Sequence, residues 1–329
     1  MEDIAVNIHQ IRKNASLLDR RLYSITSGKP NALYKAASHM ISNGGKRLRP
    51  YMTVKSCMML GGKMSDAMPA ALAIEMVHNF TLVHDDIMDN DEMRHGIPTV
   101  HKKYGLPVAI LAGDVLFSKA FEIVTLPKIP HISFKLSERL AKACTNVCEG
   151  QMLDIDMAKT RKIPSRSQYI DMIRKKTSAL FDAACAMGAI SAKADQKDIT
   201  KLGSFGNSLG IAFQITDDII GAMGDSSVTK KPVGNDIREG KKSLPILIAL
   251  EKSNSTERKT ITKCFGNKHS TKSELTAAVL AMRKSNAEKE SRSIAQKYAR
   301  SATRSLSEYS GSSKKELASL LDFILKREQ

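Results

Sequence analysis

The sequence predicts an all-α protein. Apolar residues recur at mixed spacings of three and four along most of the 329-residue chain, whereas alternating, strand-like patterns are short and few. No low-complexity tract or internal repeat interrupts this pattern. We therefore expect one helical domain over residues 1–329, built as a bundle with a deep hydrophobic core.

Ten segments carry the helical pattern, and short polar or Gly- and Pro-containing stretches separate them. The predicted helices cover residues 33–42, 52–60, 69–89, 107–124, 133–158, 167–193, 196–221, 243–251, 273–309 and 313–327. The predicted breaks fall at 61–63 (GGK), 126–130 (LPKIP), 224–242 and 266–272 (GNKHSTK). None of these breaks is long enough to serve as a linker between domains.

The formal net charge of +17 raises the question of a nucleic-acid partner. The basic residues are spread along the chain, and towards the C-terminus they are interleaved with Ser, Thr and Glu. Aromatic residues make up only 5% of the chain and tryptophan is absent, so platforms on which bases could stack are scarce. We expect no nucleic acid. The charge instead suits anionic small molecules, or peripheral contact with an anionic membrane surface.

Cysteine usage and hydropathy favour a cytoplasmic protein. Of the five cysteines only Cys144 and Cys148 are close in sequence, and no neighbouring His or Cys completes a zinc site. An odd number of scattered cysteines is typical of reduced thiols in the cytosol. No uncharged apolar run approaches the ~18 residues that a membrane-spanning helix needs.

The most informative segment is an apolar helix that ends in a cluster of aspartates. Pro69 suits the first position of a helix, and the residues that follow are apolar on almost every side up to Val83, as in a buried central helix. Asp85, Asp86 and Asp89 come next, at spacings that place their carboxylates on one side of about one turn. These charges repel one another, and the C-terminus of a helix disfavours anions. A cation must compensate them.

A second apolar segment ends in the same way. In GIAFQITDDIIG (210–221), Asp217 and Asp218 follow Gln214 by three and four residues. Carboxylates without His or Cys beside them suit Mg²⁺, which often bridges to a substrate phosphate. Each cluster alone could be a solvated helix end paired with Lys and Arg. Two clusters of the same pattern, each with basic loops nearby, favour a metal site.

The two clusters resemble the two aspartate-rich motifs of the trans-isoprenyl diphosphate synthases, the polyprenyl synthetase family. Asp85-Asp86-x-x-Asp89, followed by Arg94-His95-Gly96, is similar to the first motif, and FQITDDIIG is similar to the second. Further blocks resembling the family occur in order: GGKRLRP (44–50), HNFTLVHDD (78–86), LAGDVLF (111–117), GQMLD (150–154), KKTSALF (175–181) and KPVGNDIREGKKSLP (231–245). Eight blocks in register make the resemblance specific.

The resemblance implies the all-helical isoprenoid synthase fold, a large bundle around a central cavity, usually as a homodimer. It implies an Mg²⁺-dependent prenyltransferase that joins an allylic diphosphate to isopentenyl diphosphate, head to tail. In the family, three Mg²⁺ ions bridge the aspartate motifs to the allylic diphosphate and stabilise the charge of the leaving group. By resemblance, Asp86 and Asp218 are supporting residues, and the metal ligands are Asp85, Asp89 and Asp217.

Cations are expected to bind the two diphosphates. By resemblance, basic residues and two polar neighbours bind the allylic diphosphate: Arg94, Lys176, Lys231 and Lys241, with Thr177 and Gln214. Isopentenyl diphosphate carries no metal in this family, and basic side chains bind it directly: Lys46, Arg49, His78 and His95. The residues on which catalysis itself is expected to depend are Asp85, Asp89, Lys176, Asp217 and Lys231.

Two positions depart from the family pattern. His95 stands where the family has the second arginine of an Arg-Arg pair. Because imidazole is mostly neutral above its ordinary pKa of ~6.5, we expect weaker binding of isopentenyl diphosphate, particularly at alkaline pH. Gly221 stands where the second motif has its last aspartate, which bears on the number of metal ions rather than on activity.

Product length is expected to depend on the helix that carries Asp85. The residues four, five and eight positions before it are Thr81, Phe80 and Val77, and by resemblance they line the tunnel for the growing prenyl chain. A bulky ring at 80 blocks elongation, whereas the small Thr81 does not. The resemblance therefore implies a C20 product, geranylgeranyl diphosphate; the alternative in the same family is a farnesyl diphosphate synthase.

Two alternatives of other kinds remain at this point. His84-Asp85, with His78 nearby, is similar to the motif of HD-type metal phosphohydrolases, but that activity leaves the second aspartate cluster unexplained. A non-catalytic subunit of a prenyl synthase heteromer is the other alternative, and the intact aspartates in both motifs argue against it.

Overall fold

Helices dominate the computed structural model, which describes residues 16–160, 162–224 and 234–326. In this described part the only strands are Met93–Arg94 and Ile97–Pro98, which pair antiparallel as a short hairpin. The predicted all-α class is therefore confirmed. Across the same residues, no helix combines the length and the apolar character needed to cross a membrane. None of the five cysteines, which all lie in the described residues, forms a disulfide.

The helices follow one another with short connections. They cover 16–25, Asn31–Ser42, Leu48–Met59, Met64–Met88, Val100–Tyr104, Leu106–Val124, Pro130–Lys159, Arg166–Ile173, Ala179–Ser191, Gln196–Met223, Asn235–Glu239, Leu244–Lys252, Ser255–Cys264, Lys272–Lys284, Ala287–Ser305 and Gly311–Leu325. A π-helical turn, Arg174–Ser178, separates two of them. The breaks predicted at 61–63, 126–130 and 266–272 are confirmed.

One predicted helix, 273–309, is in fact two. The chain breaks at Asn286, whose φ of 61° lies in the left-handed region, and the helices Lys272–Lys284 and Ala287–Ser305 lie on either side. Asparagine tolerates this conformation because its short polar side chain can hydrogen-bond locally. Apolar spacing continues on both sides of the break, so periodicity alone does not reveal it.

The helix that carries the first aspartate cluster begins earlier than predicted. It runs over Met64–Met88, so Pro69 lies in its second turn and not at its first position, and that prediction is wrong. The start is set by Asp66, whose side chain accepts a hydrogen bond from the backbone N–H of Lys63 (2.9 Å). Pro69, which has no N–H to donate, therefore costs one backbone hydrogen bond near the helix start.

The chain forms two compact units, each assembled from separate segments. The first unit contains the described residues up to Cys144, together with Leu180–Gly203 and Glu308–Ser319. The second unit contains the described residues within Thr145–Ala179 and Ser204–Ser307, together with the described residues from Leu320 onward. The first aspartate cluster thus belongs to the first unit, and the second cluster belongs to the second unit.

The helix Met64–Met88 is central to the first unit. It packs against Leu48–Met59 and Leu106–Val124, and every residue from Ala70 to Val77 is buried. The prediction of a central buried helix before the first cluster is therefore confirmed. Because this helix is covered on several sides, its C-terminal end is held in a fixed place.

The core of the second unit is organised around the helix Leu244–Lys252, which is buried from Leu244 to Leu250. The last turns of the helix Gln196–Met223 add Ile215, Ile219 and Met223 to the same apolar cluster. The ring of Tyr169 is also part of it. This core fixes the end of the helix on which the second aspartate cluster lies.

Glu316, on the helix Gly311–Leu325, provides a test of the packing in the first unit. Its carboxylate accepts a hydrogen bond from the Tyr51 hydroxyl and lies 2.6 Å from Nζ of Lys55. Lys55 is only 8% exposed, so loss of the carboxylate leaves a nearly buried ammonium without its counter-charge. We expect Glu316→Ala to lower the free energy of unfolding by about 3 kcal/mol, measured by urea denaturation.

Glu308→Ala is the matched control. Glu308 also forms ion pairs, with Lys197 and Lys201, but its side chain is 61% exposed. Surface pairs of this kind are screened by solvent and contribute little to stability. Equal losses of stability in the two variants would contradict the role assigned to Glu316.

Candidate active site

The first aspartate cluster divides into an inner and two outer carboxylates. Asp85 is partly exposed and Asp89, the C-terminal capping residue of the helix, is exposed, whereas Asp86 is fully buried. The backbone continues the last turn through a hydrogen bond from Asp89 N–H to Asp85 O (2.8 Å). The two predicted metal ligands are thus the accessible members, and the predicted supporting residue faces inward.

Asp86 is held by Arg94. The Nε of Arg94 donates a hydrogen bond to Asp86 Oδ1, and its Nη2 lies 3.5 Å from Asp91 Oδ2. The second oxygen of Asp86, Oδ2, is buried and makes no hydrogen bond. Burial raises the pKa of Asp86, and the guanidinium of Arg94 opposes that shift. Arg94, predicted to bind the allylic diphosphate, is therefore positioned by the cluster itself.

A two-residue turn places Arg94 and His95. Arg94 ends the first strand of the hairpin, and the turn consists of His95 and Gly96, with φ values of 50° and 82°. Histidine is among the residues that adopt the left-handed region more readily than most. The Nδ2 of Asn43 donates a hydrogen bond to the carbonyl of His95 (3.4 Å). The departure from the family pattern at 95 therefore falls on a turn residue.

A buried arginine anchors the basic loop between the second and third helices. Arg47 has a left-handed φ of 49° and is 5% exposed. It donates hydrogen bonds to Glu75 (2.6 Å), to Asp19 (2.8 Å) and to the carbonyl of Ile41 (2.8 Å). Its neighbours in sequence, Lys46 and Arg49, are more exposed. Sequence reasoning gave Arg47 and Glu75 no role; the structure places them as the support of the loop.

Arg49 is fixed by two contacts. Its Nη1 lies 3.2 Å from Nε2 of His78, and its guanidinium carbon lies 4.2 Å from the centre of the Phe181 ring. Burial and the nearby cation of Arg49 hold the pKa of His78 well below its usual value. His78 is therefore neutral and accepts the hydrogen bond from Arg49, which keeps its full positive charge. Two residues predicted to bind isopentenyl diphosphate, Arg49 and His78, are thus in contact.

The second cluster also has an inner, supported member. Asp218 accepts hydrogen bonds from the Tyr169 hydroxyl (2.5 Å) and from Gln214 Nε2 (2.8 Å), and Thr177 donates to Gln214 Oε1 (2.8 Å). Burial, and next the charge of Asp236, raise the pKa of Asp218 to about 7. Thr177, Gln214 and Asp218, which the sequence predicts as site residues, are thus linked by hydrogen bonds in the structure. Tyr169 and Asp236, to which the sequence gave no role, also interact with Asp218.

Lys176 lies in the π-helical turn Arg174–Ser178 and contacts the GQMLD motif. Its Nζ lies 2.5 Å from Asp154 Oδ2. The turn passes so close to the helix Pro130–Lys159 that a Cβ on Gly150 would lie 2.1 Å from the backbone N of Lys176. π-Helical turns are frequent at functional sites. The sequence analysis identified the GQMLD motif but did not identify Asp154 as a site residue.

Two further predicted cations lie in the segment that follows the second cluster. The Nζ of Lys241 lies 3.2 Å from Glu239 and 3.7 Å from Asp236. Burial by itself lowers the pKa of Lys241, but these carboxylates raise it overall, so the side chain stays charged. Lys231 falls outside the residues that the structure describes.

The predicted chain-length residues lie on consecutive turns of the helix Met64–Met88. Val77 is fully buried, whereas Phe80 and Thr81 are partly exposed. The ring of Phe80 lies 5.2 Å from that of Phe117, which lies 5.0 Å from that of Phe121 (centre to centre). Phe80 therefore begins a row of aromatic rings along the neighbouring helix.

The geometry disfavours the alternative of an HD-type phosphohydrolase. The Nε2 of His84 lies 3.3 Å from the carbonyl of Ile110, and His78 contacts Arg49. Both histidines are therefore engaged away from Asp85. Over the described ranges, no group of three or more His, Cys, Asp or Glu side chains is arranged to hold a metal ion by itself. The carboxylate-only donors of each cluster fit Mg²⁺, a cation that prefers oxygen and retains water.

Comparison with known proteins identifies the family of the chain. The model of the polyprenyl synthetase family matches residues 30–282. The geranylgeranyl diphosphate synthase of Sulfolobus acidocaldarius is 41% identical over 92% of this chain and 93% of its own length. The geranylfarnesyl diphosphate synthase of Aeropyrum pernix is 41% identical over 73% of this chain and 77% of its own length.

Among solved structures, geranylgeranyl pyrophosphate synthetase from Pyrococcus horikoshii superposes with a TM-score of 0.93, at 37% identity and 99% coverage of both chains. The fold is that of the trans-prenyl diphosphate synthases. The chain belongs to the polyprenyl synthetase family. The fold and family expected from the sequence are confirmed.

The contact between Arg49 and His78 gives a testable pH prediction. Replacing Arg49 by methionine removes the cation that disfavours protonation of the imidazole, so we expect the pKa of His78 to rise in Arg49→Met. NMR titration of ¹⁵N-labelled histidine, assigned with His78→Gln, measures this shift. Arg258→Met, which removes an exposed arginine, should leave His78 unchanged. A His78 pKa that stays the same in Arg49→Met would contradict the assigned contact.

Proposed function

We propose that the protein is an Mg²⁺-dependent prenyltransferase that condenses isopentenyl diphosphate with allylic diphosphates and makes mainly geranylgeranyl diphosphate. The observation that carries the proposal is the repeated arrangement in the two units. In each, an apolar helix carries near its C-terminal end an aspartate that is hydrogen-bonded from another segment, beside a second aspartate and with cations nearby. Membership of the polyprenyl synthetase family supports the same reaction.

The reaction begins when the allylic carbon–oxygen bond ionises, so negative charge develops on the departing diphosphate. Mg²⁺, when bound, supplies Lewis-acid stabilisation of those oxygens. Asp85 and Asp89 would hold it in the first unit and Asp217 in the second, with Asp86 and Asp218 as supporting residues. Three Mg²⁺ ions per site are part of the proposal. The carboxylates act by being in place before charge develops, which is the most effective form of electrostatic catalysis.

The basic side chains divide between the two substrates. Arg94, Lys176, Lys231 and Lys241 neutralise the allylic diphosphate, with Thr177 and Gln214 beside them. Isopentenyl diphosphate is bound by Lys46, Arg49 and the neutral His78, and the planar guanidinium suits bidentate contact with phosphate oxygens. His95 supplies a weaker contact than an arginine would. After condensation, the departing diphosphate accepts the proton that leaves the new cation.

The proposed C20 product length depends on one aromatic ring. Phe80, five residues before Asp85, limits elongation, and Thr81 leaves space beside it. A C25 product is the second candidate, because a geranylfarnesyl diphosphate synthase is also 41% identical, although over a smaller part of the chain (73%) than the geranylgeranyl diphosphate synthase (92%). A C15 product would require more bulk at position 81 than threonine provides.

The assembly is a homodimer of single-domain chains. The helix Leu106–Val124 exposes three large apolar side chains, Leu106, Ile110 and Leu111, at 42–54% of their area. Leu106 and Ile110, four residues apart, lie on one side of the helix, and with Leu111 they form exposed apolar surface that a second copy would cover. The family model spans segments of both units, which supports one functional domain. We also propose that the protein is cytoplasmic and makes peripheral contact with anionic lipid.

The direct test of the function is incubation of the protein with labelled isopentenyl diphosphate and each allylic primer, followed by chromatography of the products. We expect a prenyl diphosphate of C20 only when Mg²⁺ is present, and none after EDTA. Asp85→Asn and Asp217→Asn should each lower kcat by about 100-fold or more, because each removes a metal ligand. Asp322→Asn, at an exposed carboxylate, is the control. Release of inorganic phosphate without prenyl transfer would favour the phosphohydrolase instead.

The role of Phe80 has its own test. We expect Phe80→Ala to shift the main product from C20 to longer chains, because the ring no longer blocks the growing prenyl tail. Reversed-phase chromatography of the dephosphorylated products measures chain length. Phe134→Ala removes a ring that is 69% exposed and should leave the distribution unchanged. If Phe80→Ala also leaves it unchanged, another residue sets the length.

A further inference from the structure

The helix Ala287–Ser305, in the second unit, carries a row of cations on its outer side. Its exposed charged residues are all basic: Lys289, Lys297, Arg300 and Arg304. Eight, three and four positions separate them in turn, and such spacings place side chains on one side of an α-helix. Along the helix axis the row is about 22 Å long. We call these four residues the cationic face.

The two carboxylates of the same helix take part in ion pairs with other cations. Glu288 Oε1 accepts hydrogen bonds from Nε (3.0 Å) and Nη2 (2.9 Å) of Arg292. Glu290 lies 2.7 Å from Nη1 of Arg166 and 2.6 Å from Nζ of Lys252. Neither carboxylate belongs to the exposed class, and among the described residues no carboxylate pairs with the cationic face. The positive charge of this face is therefore presented to the surroundings.

Another long helix of the chain shows how an ordinary solvated surface is built. Pro130–Lys159 exposes charges of both signs along its length: Glu138, Lys142, Glu149, Asp156 and Lys159. Two of them form a pair, with Lys142 Nζ 2.8 Å from Glu138 Oε1. Interspersed signs keep a surface soluble without a strong field of either sign. Charges of one sign repel one another instead, and an oppositely charged surface relieves that repulsion.

The composition of the cationic face indicates an extended anionic surface as its partner. The other exposed side chains of the helix are small or uncharged and polar: Ser293, Gln296 and Thr303. This fully described helix exposes no aromatic or large apolar side chain, whereas a protein interface usually needs such anchors at its centre. Single-stranded nucleic acid needs aromatic rings for stacking. Anionic lipid headgroups need neither, because each Lys or Arg near the surface adds to the attraction by its charge alone.

The backbone of a nucleic-acid duplex is also an extended anionic surface, and the chemistry of the product distinguishes the two. The proposed product combines a diphosphate with a long hydrocarbon tail, and such a tail partitions into a bilayer. A prenyl diphosphate synthase gains from lying at a membrane, since its product can then leave the site directly into lipid. Proximity to a nucleic acid offers no such advantage.

We propose that the cationic face docks the protein on anionic lipid headgroups, with the helix Ala287–Ser305 parallel to the membrane surface. This inference rests on the proposed function and names the surface that makes the membrane contact. The attraction is electrostatic, so the contact is reversible and weakens as salt screens the charges.

The test is co-sedimentation of the full chain with lipid vesicles. We expect binding to vesicles that contain phosphatidylglycerol, no binding to vesicles of phosphatidylcholine alone, and release when NaCl is raised from about 50 mM to about 500 mM. The triple variant Lys297→Gln, Arg300→Gln, Arg304→Gln removes three charges and keeps good helix-forming residues. Its dissociation constant for the anionic vesicles should rise at least about 10-fold.

A second triple variant is the matched control. Lys29→Gln, Lys35→Gln, Lys128→Gln removes the same net charge at exposed positions of the first unit. It should bind anionic vesicles as the unmodified protein does. Circular dichroism should show both variants folded, and both should keep their prenyl transfer rate with substrates in free solution, because neither changes a residue of the active site.

Three outcomes would overturn the inference. They are an equal loss of binding in the two triple variants, equal binding to neutral and anionic vesicles, and tighter binding to duplex DNA than to anionic vesicles. If the unmodified protein makes prenyl diphosphate but does not bind the anionic vesicles, only this inference fails. If it binds them through the cationic face but transfers no prenyl group, the proposed function fails and the assignment of the surface stands.

Discussion

Each aspartate cluster lies near the C-terminal end of an apolar helix, and the surrounding structure has to compensate its negative charge. Carboxylates so close together repel one another, and the C-terminus of a helix adds partial negative charge. The protein does not disperse this charge. In each unit it neutralises or hydrogen-bonds one member of the cluster, and in the first unit Asp85 and Asp89 stay more accessible than that member. The inner contacts are Arg94 on Asp86, and Tyr169 with Gln214 on Asp218.

This arrangement gives the inner and outer aspartates different functions. The supported residues, Asp86 and Asp218, are fixed by partners on other segments, so the helix turns around them cannot fray without breaking those contacts. The predicted metal ligands, Asp85, Asp89 and Asp217, therefore lie on rigid turns and would need little reorganisation to meet a cation. Such preorganisation is what allows fixed charges to stabilise a developing diphosphate better than water does.

Sequence pattern predicts the helices that carry the clusters, because their apolar spacing is long and regular and their ends carry obvious charge. It predicts poorly where one side chain decides a boundary, as Asp66 does for the start of Met64–Met88 and Asn286 does for a break. It also cannot predict partners such as Asp154 for Lys176, because such pairs depend on how distant segments pack.

The cations of the site follow one further rule. Those of the described residues that are proposed to bind the allylic diphosphate each contact a protein carboxylate: Arg94 with Asp86, Lys176 with Asp154, and Lys241 with Glu239. A cation held in this way loses little conformational entropy when a ligand arrives.

The carboxylate partner of each cation also competes with the diphosphate, which weakens the attraction of the cation to singly charged anions. A diphosphate with bound Mg²⁺ suits such a pair, because its phosphate oxygens bind the cation and its metal ion binds nearby carboxylates. The pairing therefore favours a metal-bound diphosphate over a free anion, although the chain as a whole carries a net charge of +17.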